Sequence, residues 1–330
     1  IKSGMDPSTD NSLAIQEVDS FYKSLIEAGT LLLVSAIGIF CNLLAFTVMV
    51  RHEAFRNSFG RLAACYTFSN IGVLIIFMFW ATPWTIWAIP RSLHYLNLRM
   101  GSLSMCFFQV ALHCHLFISI NRFVAITFPL CYRKMFTLFA TKIAITFIAA
   151  TSILYSGVYF IGGCDFFYTY SPSGWIYGDE PCTQFLALYV DYYYNSFIFF
   201  VSIALDIITV VQLGSRRRKV LARQQKMNGV QARHDAKMER RELRFLAQAA
   251  LGTLINFVLY FSGSFVVSMV DARFQILCYT LSWELTHAVA GVIFVAFNPE
   301  IRRRLLSKET SLPKTITMMV VSGRADVANK

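Results

Sequence analysis

Charged side chains are the scarce component of this 330-residue chain, where Asp, Glu, Lys and Arg make up 15%, against about 25% in an ordinary soluble domain. So little charge excludes a disordered chain, which needs polar, charged composition to stay solvated. Eight Cys spread over this length do not make the dense framework of a small disulfide scaffold. Only eight Pro interrupt the chain, which leaves long stretches free to be helical. No Gly-x-Ser-x-Gly, His-Glu-x-x-His or P-loop pattern occurs, and no other enzyme constellation is visible. His113 and His115 are two residues apart, point to different helix faces and make no metal pair. In place of charge the chain is 56% hydrophobic, with a mean hydropathy of +0.52.

Those apolar residues are gathered into seven runs, 28–50, 62–84, 98–126, 141–162, 185–213, 245–270 and 274–297, each long enough to cross a bilayer at about 20 residues per helix. Interior Gly at 38, 72, 252, 263 and 291 suits close helix packing in lipid. No ten-residue alternating segments suggest a barrel. The expected fold is an all-α integral membrane protein, a bundle of seven transmembrane helices over residues 28–306. Residues 1–27 form an extracellular segment and 307–330 a cytoplasmic tail expected to be disordered. The first thirty residues lack a basic start and apolar core, so the first run reads as a retained signal anchor.

The net charge of +11 is concentrated between spans. Arg216 to Arg244 holds eleven Lys and Arg against Asp235, Glu239 and Glu242. Arg51, Arg56 and Arg61 follow the first span, Arg133 and Lys134 the third, and Arg302, Arg303 and Arg304 open the tail. The amino-terminal segment carries Asp6, Asp10, Glu17, Asp19 and Glu27 against Lys2 and Lys23, and the loop after the fourth span has Asp165, Asp179 and Glu180 with no Lys or Arg. The positive-inside rule then puts the amino terminus outside and the carboxyl terminus inside. Basic residues placed this way set topology and could attract anionic lipid; they do not suggest a nucleic-acid partner.

The stretch Asn121-Arg122-Phe123-Val124-Ala125-Ile126-Thr127-Phe128-Pro129-Leu130-Cys131-Tyr132 resembles the Asp-Arg-Tyr-x-Ala-Ile-x-x-Pro-Leu-x-Tyr signature of rhodopsin-like G protein-coupled receptors. Cys41-Asn42 is similar to that family's Gly-Asn pair, and Asn70 stands where its second helix usually has Asp. Asn298-Pro299-Glu300-Ile301-Arg302 reads as the junction to a short amphipathic eighth helix. The sixth span lacks Cys-Trp-x-Pro. With Ser58-Phe-Gly60 and Ser69-Asn70, this mixture resembles the nematode serpentine chemoreceptors of class x (Srx). The resemblance implies a multi-pass plasma-membrane receptor of the kind displayed on sensory neurons, with the sensory cilium as an expected site. It also implies a small-molecule odorant or pheromone ligand, a heterotrimeric G protein partner and no cofactor.

Carried onto this chain, the resemblance makes Arg122 the G-protein switch, flanked by Asn121, Phe123, Pro129 and Tyr132. Asn121 cannot neutralise Arg122 as Asp would, so Glu242 or Glu239 at the foot of the sixth helix is the expected resting partner. The alternative is an Arg that only snorkels to lipid phosphate. Glu284, with His287 one turn later, lies mid-span, where a lipid-facing carboxylate costs about 2.5–3.5 kcal/mol. It is expected to face the bundle as a ligand contact or as a structural hydrogen-bonding group. Ser104 and Phe108 face the ligand pocket by family analogy, and Trp283 is either packing or pocket. Asn42, Asn70 and Asn298 are polar helix-packing residues. Asp206 is expected to meet a neighbouring polar group, and Asp191 to be wet.

Family receptors usually tie the third helix to the second extracellular loop through a disulfide. Here that helix position is Asn97, and Cys106 lies about 14 Å further in. Cys164 and Cys182, both on the oxidising side, are expected to pair with each other and close a hairpin over the pocket; the alternative is two free thiols. The rival to a receptor is a transporter, which should show internal repeats or broken helices. A retinal protein would need a Lys in the seventh span, and 274–297 has none.

Overall fold

Inside a bilayer no water is available to backbone N–H and C=O groups, so apolar runs must satisfy them within the segment, as helices do. The computed structural model describes residues 7–171, 173–224, 251–259, 261, 269, 277–298 and 301–302. Among the described residues six helices are long and apolar enough to cross: Ser20–Arg51, Ser58–Ile86, Arg91–Thr127, Leu138–Phe160, Pro181–Ser215 and Tyr279–Phe297. They are the first five spans and the seventh. Of the sixth, 251–259 is described and helical, as are Ile301 and Arg302 of the eighth helix. Glu239, Glu242 and the tail beyond 302 lie outside the described residues.

Boundaries follow local chemistry. The Asn57 side chain accepts from Gly60 N and opens the second span, and Thr137 accepts from Ala140 N to open the fourth; both are N-caps. Pro129 begins a separate short helix, Pro129–Met135, where its missing N–H costs nothing. The first helix starts at Pro7, well before the apolar run at Ala28. Helix propensity extends it, because Leu13, Ala14, Gln16 and Glu17 are good helix formers.

Among the described residues three outer half-spans leave the α-helical period: Phe77–Ala81, Leu186–Tyr194 and Leu277–Leu281 are π-helical. Each extra residue in a turn re-aims the side chains that follow, and such turns recur at functional sites.

The third span is the hub, packed against the second, fourth and fifth, while the first packs on the second and seventh. Leu33, Phe40, Phe139, Phe147 and Phe197 are exposed and form the lipid face. The first and seventh spans touch backbone to backbone: a Cβ at Gly291 would lie 2.6 Å from Asn42 N, and one at Gly38 2.7 Å from Ala288 Cβ. Between the fourth and fifth spans the chain forms an antiparallel hairpin, β1 (Phe166–Tyr170) on β2 (Ser173–Tyr177), in register Phe166↔Tyr177 to Tyr170↔Ser173. A disulfide joins Cys164 to Cys182 at its base.

Gly291→Val should force these two helices apart and sharply reduce the yield of monodisperse receptor in detergent, as size-exclusion chromatography would show. A normal yield would contradict the close approach.

Candidate functional site

At the outer end the hairpin, the third, fifth and seventh spans enclose a cavity of about 360 Å³, near the lower limit of small-molecule sites, roughly 300–1,000 Å³. Phe108 and Met105 come from the third span, Asp191, Tyr192 and Phe199 from the fifth, and Thr280, Trp283 and Thr286 from the seventh. The hairpin contributes Phe166, Trp175 and Tyr177. Phe166 stacks on Trp175 at 5.6 Å between centroids, and Trp283 meets Phe108 edge-on at 5.9 Å. Burial pushes the Tyr168 and Tyr177 phenols of the hairpin up from their ordinary value, so both remain neutral.

The hairpin is held on the third span by hydrogen bonds. Asn97 Nδ2 donates to Tyr168 O at 2.8 Å, and Asn97 Oδ1 accepts from Tyr168 N at 3.2 Å and from Trp80 Nε1 at 2.8 Å. Asn97 thus pairs with both backbone groups of one strand residue, where the family pattern has a disulfide. Thr85 Oγ1 lies 2.6 Å from Tyr168 Oη and adds a tie to the second span. Gly101 completes the seat, since a Cβ there would lie 1.9 Å from Phe166 O.

At the inner end, Arg122 Nη2 donates to both carboxylate oxygens of Asp206, at 2.9 and 3.1 Å, and to Ser119 Oγ at 3.2 Å. Thr253 Oγ1, on the described part of the sixth span, donates to Asp206 Oδ2 at 2.6 Å and lies 3.4 Å from His115 Nε2. Among the described residues, then, the partner of Arg122 is Asp206 of the fifth span; Glu239 and Glu242, the expected partners at the foot of the sixth, lie outside them. The carboxylate is 3% exposed and the guanidinium 16%. Removing one member of such a pair strands the other charge, at about 3–5 kcal/mol. Asn121 turns elsewhere: its Nδ2 donates to Ser58 Oγ at 3.2 Å, and Thr141 Oγ1 donates to the same oxygen at 2.7 Å. It locks the second, third and fourth spans together. Phe123 meets Phe128 edge-on, and Tyr132, in the short helix that Pro129 opens, stacks on Phe136, its C-cap.

Phe108 and Arg122 are fourteen residues apart on one helix, about 21 Å by helical rise. Two small voids of about 20 and 40 Å³ lie between the cavity and the ion pair. The first shares Phe108, Phe199 and Thr286 with the cavity; the second reaches Arg122 and shares Tyr66, His115 and Asn256 with the first.

Of the sequence-derived pocket residues, Phe108 lines the cavity and the other three do not. Ser104 is buried and donates to Gly101 O at 2.8 Å. Glu284, fully buried, accepts from Ser35 Oγ of the first span at 2.5 Å. His287 Nδ1 lies 2.8 Å from Asn70 Oδ1. Asn42 Nδ2 donates to Gly38 O and His287 O, at 2.9 and 3.1 Å, and Asn298 is buried at the inner end of the seventh span. Glu284, His287, Asn42 and Asn70 together form a polar seam between the first, second and seventh spans. Asp191, at the outer end of the fifth span, is half-buried, lines the cavity and accepts from Asn195 Nδ2 at 2.7 Å. The π-helical turn carries it inward, which a 3.6-residue period does not anticipate. Its being a carboxylate inside an apolar run was the available signal. Trp175 and Tyr177, on a loop, gave none.

A protein-family model described as "Serpentine type 7TM GPCR chemoreceptor Srx" matches residues 32–298. Two Caenorhabditis elegans proteins are similar over most of their length. Serpentine receptor class X 45 is 25% identical over 306 residues, 88% of this chain and 83% of that protein. Serpentine receptor class X-43 is 26% identical over 287 residues, 81% of this chain and 82% of that protein. The crystal structure of squid rhodopsin superposes with a TM-score of 0.68 at 14% identity, covering 86% of this chain and 85% of that one. At that identity the likeness shows the fold, a seven-transmembrane bundle.

Asn97→Ala removes three hydrogen bonds and leaves buried groups of Tyr168 and Trp80 unpaired, a loss of about 1–3 kcal/mol for each orphaned group. The variant should melt lower and expose the 166–177 hairpin to limited proteolysis. A hairpin as protected as in the parent would contradict the clamp.

Proposed function

The chain belongs to the serpentine 7TM GPCR chemoreceptor family Srx, and from that premise we propose that its outer cavity is the ligand site and Arg122 its G-protein switch. A G protein-coupled chemosensory receptor needs an agonist site on one side of the membrane, a G-protein site on the other, and a coupling between them. The observation that carries the reading is that one helix bears a wall of the cavity at Phe108 and the buried Arg122–Asp206 pair about 21 Å away.

In the resting arrangement Arg122 is held by Asp206, and Asp206 by Thr253 of the sixth span. A ligand shifts the balance only by binding one arrangement better than the other. An odorant or pheromone filling the cavity would press on Trp283, Phe108 and Phe199, next to the voids that lead inward. Outward movement of the sixth helix would withdraw Thr253 and loosen Asp206. The freed guanidinium, with its fork of five donors, would then meet backbone carbonyl groups of a heterotrimeric G protein. Pro129, Tyr132 and the short helix they belong to would border that docking site, and Glu242 would stand at the foot of the moving helix. Charge placement supports an amino terminus outside and a carboxyl terminus in the cytoplasm, in the plasma membrane and, in keeping with the chemosensory role, the sensory cilium. The family match favours this receptor over the transporter reading.

Expression with cAMP and calcium reporters tests the switch. Asp206→Asn should raise ligand-independent signalling at least about fivefold, equivalent to ~1 kcal/mol in the resting balance. Arg122→Ala should abolish signalling while surface display survives. A full response from Arg122→Ala, or unchanged basal activity in Asp206→Asn, would contradict the assignment.

A further inference from the structure

Among the described residues lining the outer cavity, Asp191 is the one charged side chain, and the rest of the wall is mainly aromatic. Trp175 and Trp283 stand nearly perpendicular, 79° apart with centroids at 6.1 Å, and Phe108 is at 89° to Trp283. These rings and the carboxylate line one cavity, and aromatic rings beside a carboxylate favour a cation. Four wall groups are buried polar atoms without a hydrogen-bond partner, Trp175 Nε1, Tyr177 Oη, Thr280 Oγ1 and Trp283 Nε1. Trp175 is 7% exposed and Thr280 1%. Buried polar groups are satisfied in nearly all folded proteins, and these are groups that a molecule bound in the cavity can complete.

Three ligand classes can be weighed against this wall. An anion meets Asp191 and, among the described residues, no basic side chain to receive it. A purely apolar odorant suits the rings but shields Asp191 and leaves the indole N–H groups and Thr280 Oγ1 without acceptors. An ammonium ion answers Asp191 and the ring faces, and one that also carries a hydroxyl or ether oxygen can accept from an indole N–H and so suits the whole wall. The volume limits it to a compact molecule. Glu284, the other carboxylate of the outer half-spans discussed above, is committed to Ser35 and does not line this cavity.

We infer that the receptor takes small organic ammonium ions, held between Asp191 and the Trp175–Trp283 box. This rests on the reading of the outer cavity as the ligand site, and it commits that site to one chemical class.

The test uses purified full-length receptor in lipid nanodiscs without G protein, with binding followed by tryptophan fluorescence. The probes are 2-phenylethylammonium, tyramine and choline, each against its uncharged counterpart: 2-phenylethanol, 4-(2-hydroxyethyl)phenol and 3,3-dimethylbutanol. At least one ammonium ion should bind at least about tenfold tighter than its counterpart. Asp191→Asn should erase that preference, and Asp191→Glu should restore part of it. If Asp191→Asn is not recovered as monodisperse protein, Trp283→Leu serves in its place, with the same loss expected. Equal or tighter binding of the uncharged members overturns the inference. So does a preference that survives these substitutions, or no binding of any ammonium probe in the millimolar range. Coupling is measured separately in cells. A receptor that binds ammonium but activates no G protein contradicts the functional reading alone, and one activated only by uncharged molecules contradicts this inference alone.

Discussion

A guanidinium and a carboxylate facing each other inside a membrane protein constrain everything around them. Arg122 and Asp206 come from different helices, and neither can be left unpaired at small cost. Their bond therefore fixes the third span against the fifth, and Thr253 extends the constraint to the sixth. Asn121, beside Arg122 in sequence, ties the third span to the second and, through Ser58, to the fourth. Four neighbours of the central helix are set by two adjacent residues and their partners. Such a pair suits a two-state device better than an apolar contact of equal area, because it is either closed or open.

The outer half is organised differently. Its shape depends on a hairpin that is closed on itself by Cys164–Cys182 and fastened to the bundle by Asn97. An amide bonded to one residue's N–H and C=O fixes that residue's rotation as well as its position. That orientation turns Phe166 and Trp175 into the cavity. To move the resting balance from one arrangement almost wholly to the other takes about 5.5 kcal/mol of differential binding. That is of the same order as separating the buried ion pair, and the acceptors that a G protein offers Arg122 would share the load with the ligand.

The seven spans were legible in the sequence because bilayer crossing demands length and apolarity, both visible in one dimension. The inner signature was legible through Arg122, Ala125, Pro129 and Tyr132, whose spacing is independent of how the helices pack. The identity of partners was less so. Asp206 was legible only as a carboxylate that meets a neighbouring polar group; that Arg122 is that neighbour depends on the rotation of the fifth span, and periodicity does not give rotation across a π-helical turn. The same turn brought Asp191 into the cavity wall. Glu284 was correctly read as facing the bundle, but the bundle has several inner faces, and the close approach at Gly38 and Gly291 gives it the first span. Asn97 was noticed only as the residue standing in place of Cys; its role needed the hairpin's register.

The most direct measurement of the central claim is a double-mutant cycle on thermal stability with Arg122→Gln, Asp206→Asn and the pair together. If the two side chains are each other's partner, the second substitution should cost little once the first is made, and the double variant should melt no lower than the worse single one. Fully additive losses would mean that the two charges are held by other groups, and the account would fail.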